Sequence, residues 1–367
     1  MKPRETYLDW NATAPLRSGA TAAIADALVM GGNPSSVHRS GRAARQLVEQ
    51  SRAAVAALVG APADAVVFTS GGTEANHLAL LGTGRSRVLV SAVEHPSVQQ
   101  AVPEARRIPV DSHGLVDPAA LASLLADDEQ PTLVSVMVVN NETGVIEPVR
   151  ELAEIAHARG ALFHCDAVQA AGKLPLSLRQ LGCDFLTLSA HKIGGPTGIG
   201  ALVTAPGAEV TPLLRGGGQE RNRRAGTENL VGIAGFAAAA AACDPAEYDR
   251  VRALRDRLEA ALPDDAMVIG AAAPRVPNTC AVAMPGVLAE TQVIALDLDG
   301  VMVSAGAACS SGKVGPSHVL AAMGVPAEIA RATIRVSLGW SSDETDITHF
   351  LDAWSALYRR TRGRKAA

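Results

Sequence analysis

Phe185-Leu186-Thr187-Leu188-Ser189-Ala190-His191-Lys192-Ile193-Gly194-Gly195-Pro196 runs from apolar residues onto a lysine and then into a glycine- and proline-rich segment. The run 185–188 reads as a buried strand, so Lys192 stands where a strand ends. The glycines after it let backbone and ligand approach closely. A lysine set among small residues at a strand end is partly desolvated, which lowers its pKa and frees the amine to act as a nucleophile. Taken alone, His191-Lys192 fits a solvated loop equally well, and the surrounding chain has to decide between the two.

Outward from this stretch, strands and helices alternate. Apolar runs at 66–68, 87–92, 133–139, 161–165 and 200–203 read as strands. Helices are expected over 20–30, 39–59, 73–81, from 97 onward and over 149–159. The helix over 39–59 carries Ala43, Leu47, Val55 and Leu58 on one face and stops at Gly60. Continuous apolar strands between helices predict an α/β fold with a mainly parallel central sheet covered on both faces. In such sheets ligands gather at the carboxyl ends of the strands. An alanine-rich helix follows Thr227-Glu228-Asn229, and Asp244-Pro245 marks a seam. We expect a large domain over 14–245. Residues 1–13 and 246–367 are expected to form a smaller α+β domain, with a charged helix over 246–262 and strands near 267–270 and 279–284.

A chain of 367 residues is long enough for this arrangement. Its net charge of −4 and pI near 6.2 give no electrostatic reason to expect nucleic acid or a membrane surface as partner. No secretory signal or membrane-spanning run is visible. The five cysteines, Cys165, Cys183, Cys243, Cys280 and Cys309, are widely spaced, odd in number and without a C-x-x-C pair. That pattern favours a reducing cytoplasm over a disulfide framework or a zinc site.

Polar motifs recur at the expected strand ends. Ser70-Gly71-Gly72-Thr73-Glu74-Ala75-Asn76 joins a strand to a helix, so its amides and the helix dipole can hold an anion, with Thr73 as cap and hydroxyl donor. No Gly-Lys-Ser/Thr follows, which disfavours nucleotide hydrolysis; an ordinary capped helix remains the plain alternative. His95, in Glu94-His95-Pro96, offers a flat ring for stacking and a proton carrier. Asn141 closes the run 133–139, where a simple Asn/Gly turn is the alternative. Asp166, in His164-Cys165-Asp166-Ala167-Val168-Gln169, is a carboxylate that needs a partner if buried, and a protonated pyridine nitrogen is one. Gln169, one helical turn on, reaches from the same side. Together with Lys192 these motifs point to a lysine-anchored pyridoxal phosphate site.

The chain resembles the cysteine desulfurases of the NifS/IscS type, within the class V aminotransferase branch of fold-type I pyridoxal-phosphate enzymes. The resemblance rests on "YLDWNATAP", "GNPSSVHRSGR", "FTSGGTEAN", "EHPSV", "VNNETGVIEP", "HCDAVQAAGK", "SAHKIGGPTGIGAL", "GGGQERNRRAGTEN", "AGAACSSGKVGPSHVLAAMG" and "IRVSLG", which run nearly its full length. It implies that Lys192 holds the cofactor, His95 stacks on its ring, Asp166 meets the ring nitrogen and Gln169 the 3-oxygen. Gly72, Thr73, Ser189 and His191 would hold the phosphate, and Thr227 would reach the phosphate of a neighbouring subunit, implying a homodimer. Asn141 and Arg335 would fix the substrate carboxylate of L-cysteine, with Asn11 nearby. Cys309, in the small-residue stretch Gly306-Ala307-Ala308-Cys309-Ser310-Ser311-Gly312, would take the sulfur as a persulfide for acceptor or scaffold proteins, leaving L-alanine. Selenocysteine lyase, or another class V aminotransferase-type reaction, would use much of the same apparatus. Trp10 stands where the family usually has asparagine and Thr197 where lysine is common, and the stretch 293–317 is short for the family.

Overall fold

The computed structural model describes residues 5–127, 130–306 and 317–363. Its centre is a seven-stranded sheet in the order Val66–Thr69, Gly200–Thr204, Phe185–Ser189, Leu162–Asp166, Thr132–Ser135, Arg87–Ser91, Arg106–Ile108. All neighbours pair in parallel except Gly200–Thr204, which runs antiparallel to both strands beside it. The expected mainly parallel sheet is therefore present. The short edge strand Arg106–Ile108 went unread because it is mostly exposed and carries two arginines.

The two-residue period of a strand explains why these segments are apolar throughout. Val66, Phe68, Leu186, Leu188, Ala201 and Val203 enter one core, while Val67, Phe185 and Leu202 enter another on the opposite face. Helices cover both faces, so neither set can be polar. Ser18–Met30 and Arg39–Leu58 pack with Leu230–Ala241 in one layer. Gly200 shows how tightly the sheet end is closed, since a Cβ there would lie 2.6 Å from the Gly71 carbonyl carbon.

Element ends shifted as local chemistry required. The helix expected from 97 onward is only Pro96–Gln99. The strand expected over 133–139 pairs in register only over Thr132–Ser135, but Val136 and Val138 go on donating to the His164 and Asp166 carbonyls. Residues after Asp166 form successive turns rather than a helix, with Gly172 at φ 71°. Gln169 is thus carried on a turn and not on a helical face.

A separate apolar cluster joins Tyr248, Val251, Leu254 and Leu258 of Glu247–Ala260 to Cys280, Val282, Ile334, Val336, Phe350 and Trp354. It packs on a four-stranded antiparallel sheet in the order Ser304–Ala305, Thr333–Ser337, Thr279–Ala283, Met267–Val268. Thr6–Tyr7 pairs with Val301–Met302, which ties the N-terminal strand to this part of the chain. The last helix, Glu344–Gly363, supplies Ile347, Phe350 and Trp354 to the same core.

One buried ion pair organises the segment before Thr227. Glu220, Arg221 and Asn222 have φ of 47°, 56° and 64°, a left-handed run that side chains rarely adopt. Glu220 is held by Arg52 at 2.6 and 3.0 Å and by the Phe68 amide at 2.9 Å, all out of solvent. Glu220→Gln leaves the Arg52 guanidinium with only the half-exposed Glu49, at 3.3 Å, as counter-charge, and we expect a loss of roughly 3 kcal/mol in unfolding free energy. An unchanged denaturation midpoint would contradict that assignment.

Candidate active site

Five strand ends and two segments from the second cluster meet at one cavity of about 410 Å³. Its lining includes Asn11, Gly72, Thr73, His95, Asn141, Asp166, Gln169, Ser189, His191, Lys192 and Arg335. Among the sequence-derived site residues, Thr227 lies apart and is solvent-exposed. Cys309 lies outside the described residues.

On one wall the helix Gly72–Gly82 begins at Gly72, so the amides of its first turn point toward the cavity mouth without intrahelical acceptors. The N-cap is Gly71, which has no side chain to cap with. Thr73 therefore does not cap this helix, contrary to expectation; it sits one residue inside it. Ser189 lies against Gly72, its Cβ 3.5 Å from where a Gly72 Cβ would stand, and His191 lines the same cavity. Burial pushes His191 down to about 4, with Lys192 adding to the effect, so its ring is neutral near pH 7.

Asp166 forms the floor. Its Oδ2 accepts from Asn76 Nδ2 at 2.8 Å and its Oδ1 from the Val168 amide at 2.9 Å. Asn76 also donates to Ser97 Oγ at 2.8 Å, and Ser97 Oγ lies 2.8 Å from His95 Nδ1. The Ser97 amide donates to the same Nδ1 at 3.1 Å, which assigns the His95 proton to Nε2. Burial lowers the His95 pKa, opposed by Asp166 and aided by Lys192. Asn76 and Ser97 were missed in the sequence, although both stand inside quoted motifs. Asn76 lies one turn beyond Gly72, and Ser97 is the residue that His95 caps.

Lys192 closes the strand Phe185–Ser189 and is half-buried. Its Nζ donates to the Asn11 and Ala12 carbonyls at 2.6 and 2.7 Å. Arg335 reaches in from the strand Thr333–Ser337, donating from Nη1 to the Asn141 carbonyl at 3.1 Å and from Nη2 to Asp9 at 2.7 Å. Its Nε is buried and meets no acceptor among the described residues. Glu142, next to Asn141, accepts from Ser317 Oγ at 2.6 Å, and burial raises it to about 7. Trp10 does not line the cavity. It is buried edge-on against Trp340, with ring centroids 4.6 Å apart, and its Nε1 donates to the Tyr7 carbonyl. Thr197 is likewise exposed and off the cavity.

A helix start with free first-turn amides, a carboxylate, an amine and the Arg335 guanidinium thus share one cavity. Residues 6–350 match the family model described as aminotransferase class-V. A cysteine desulfurase of Cereibacter sphaeroides is 44% identical, the match covering 97% of this chain and 96% of that one. The cysteine desulfurase IscS of Dictyoglomus turgidum is 40% identical over 98% of this chain and 96% of its own length. A solved NifS-like protein from Rickettsia africae superposes with a TM-score of 0.91 at 36% identity, covering 97% of this chain and all of that one. The chain belongs to the class-V aminotransferase family and, within it, to the cysteine desulfurases. It has the α/β fold of the NifS-like structures and is an enzyme of sulfur transfer.

Proposed function

We propose that the cavity holds pyridoxal phosphate and removes sulfur from L-cysteine there. The observation that carries this is the donor set. Gly72, Thr73, Ser189 and His191 make a cradle for a dianionic phosphate, Asp166 supplies a carboxylate for a protonated ring nitrogen, and Lys192 supplies the amine for an aldehyde. Among the described residues the hydrogen-bond partners of Asp166, Asn76 and the Val168 amide, are both neutral, which suits a carboxylate meant for a protonated ring nitrogen. His95 offers its ring face, and Gln169 faces the 3-oxygen side. When bound, the cofactor supplies an electron sink for negative charge at the substrate α-carbon.

The chain's own residues do the rest. Arg335 Nε, the orphaned buried donor, together with Asn141 takes the substrate carboxylate. Lys192 Nζ would take the substrate α-proton and later return a proton. The Cys309 thiolate attacks the substrate sulfur, so an S–S bond forms as the C–S bond breaks. The bonding pair stays at carbon, which is protonated to L-alanine, and Cys309 is left as a persulfide for an acceptor protein.

We further assign the chain to two domains, 14–245 and 1–13 with 246–367. The separate apolar clusters on either side of Asp244–Pro245 support this. A homodimer is supported by Leu28, Val29 and Val37, which stand exposed, and by Thr227, whose exposed position needs a second copy to meet a phosphate. The described cysteines are free thiols, and even Cys165 and Cys183, which lie within hydrogen-bond reach of one another, are not joined, which fits a cytoplasmic setting. No helix among the described residues is long and apolar enough to cross a membrane.

Arg335→Lys tests the site. It keeps a charge but loses the planar fork, so the KM for L-cysteine rises about tenfold or more while the cofactor's visible band is retained. An unchanged KM overturns the assignment of Arg335 to the substrate carboxylate.

A further inference from the structure

Behind the cavity lies a second amine, the last residue of the "HCDAVQAAGK" block, to which the sequence reading gave no role. Lys173 is 3% exposed on the turns after Asp166. Its Nζ donates to Gln169 Oε1 at 2.7 Å and to Asn11 Oδ1 at 3.0 Å. Gln169 Nε2 donates in turn to the Asn11 carbonyl at 2.9 Å, the carbonyl that also receives Lys192. Asn11 Oδ1 also accepts from Asn278 at 3.1 Å, and at the other end of the amide Nδ2 donates to Thr279 Oγ1 at 2.9 Å.

A primary amide has an acceptor end and a donor end of nearly equal size, and only its neighbours decide which way round it sits. An amine facing Oε1 decides it. With Oε1 committed to Lys173 and one Nε2 proton to Asn11, the other Nε2 proton is the polar group left to a residue that lines the cavity. Both acceptors of Lys173 are amide oxygens and therefore uncharged. Burial, reinforced by Lys192 and Arg335, pushes its pKa well below the ordinary lysine range. A buried amine so placed costs the fold desolvation energy, and a methionine of similar length would avoid that cost.

We infer that Lys173 is a positioning residue that locks the Gln169 amide with its N–H toward the cofactor's ring oxygen and braces Asn11 behind Lys192. The inference rests on the reading that Gln169 faces the 3-oxygen. A donor there favours the ionised oxygen, whereas a flipped amide would present its own carbonyl and disfavour it. Lys173 acts on the ring oxygen through Gln169, so its effect on that oxygen must vanish when Gln169 is gone.

The test is a double-mutant cycle on the holoenzyme, read as the midpoint of the pH titration of the visible absorbance band. Gln169→Ala and Lys173→Met should each raise the midpoint by about one pH unit, the size of one hydrogen bond to a charged acceptor. The double variant should rise no further than Gln169→Ala alone. A merely structural lysine would lower the melting temperature and leave the midpoint in place. An unmoved midpoint in Lys173→Met beside a shifted Gln169→Ala overturns the inference, as do shifts that add in the double variant. An unmoved midpoint in Gln169→Ala overturns the reading of Gln169 itself and the inference with it. If Lys173→Met does not fold, Lys173→Leu, which likewise has no N–H to give Gln169 Oε1, closes the same cycle under the same criterion.

Discussion

Replacing Lys192 by alanine abolishes turnover of L-cysteine, by about 10⁴-fold or more, and ends covalent retention of the cofactor. On the proposed reading one side chain serves as both anchor and proton carrier, so its loss would remove both contributions together. The geometry prepares it for both. The strand Phe185–Ser189 ends in a single tight turn, Ala190–Lys192, closed by the Ile193 and Gly195 amides on the Ala190 carbonyl. This fixes the backbone under Lys192, while the Asn11 and Ala12 carbonyls hold its amine at 2.6 and 2.7 Å. The variant should still fold. The Asn11 carbonyl keeps Gln169 as donor, and losing the remaining contacts costs about 1 kcal/mol, or a few degrees of melting temperature. Mass spectrometry after borohydride reduction provides the check: the native chain gains the cofactor's mass and the variant does not. A variant that keeps even a hundredth of native turnover would remove Lys192 from both roles.

Much of this site could be read in the chain because its parts are local. Gly72-Thr73, His95, Asn141, Asp166 and Ser189–Lys192 each end a strand whose apolar run is visible, and the parallel sheet brings those ends to one edge. The parts that stayed hidden depend on long-range contacts. Asn76 looks like any helix residue until Asp166 and Ser97 meet it across 90 and 21 positions. Lys173 looks like a surface lysine because its acceptors, apart from Gln169, come from a strand end 162 residues earlier. Arg335 gave a sign of charge but none of its partner Asp9, 326 positions away. Thr73 misled for a different reason. Three small residues can each start a helix, and the N-cap fell on Gly71, which has no side chain to cap with.

Replacing Cys309 by serine separates sulfur release from cofactor binding. Alanine and sulfide production should fall by about 10³-fold or more, while the visible band, which depends on the cavity lining, is unchanged. Cys309 itself lies outside the described residues, so the support comes from what the other thiols cannot do. Cys165, Cys183 and Cys280 are buried in the cores. Burial pushes the thiols of Cys165 and Cys280 well above the ordinary range, and that of Cys243 up to about 11. At pH 7 a thiol titrating near 11 is ionised to only about one part in 10⁴, and the thiolate is the attacking form. None of these four lines the cavity. Cys243→Ser should accordingly leave turnover unaltered, which makes it the matched control for a generic loss of a thiol. The two measurements, sulfide by colour reaction and cofactor by absorbance on the same sample, must part company in Cys309→Ser alone. Sulfide still released by that variant at the native rate would show that the nucleophile is another group.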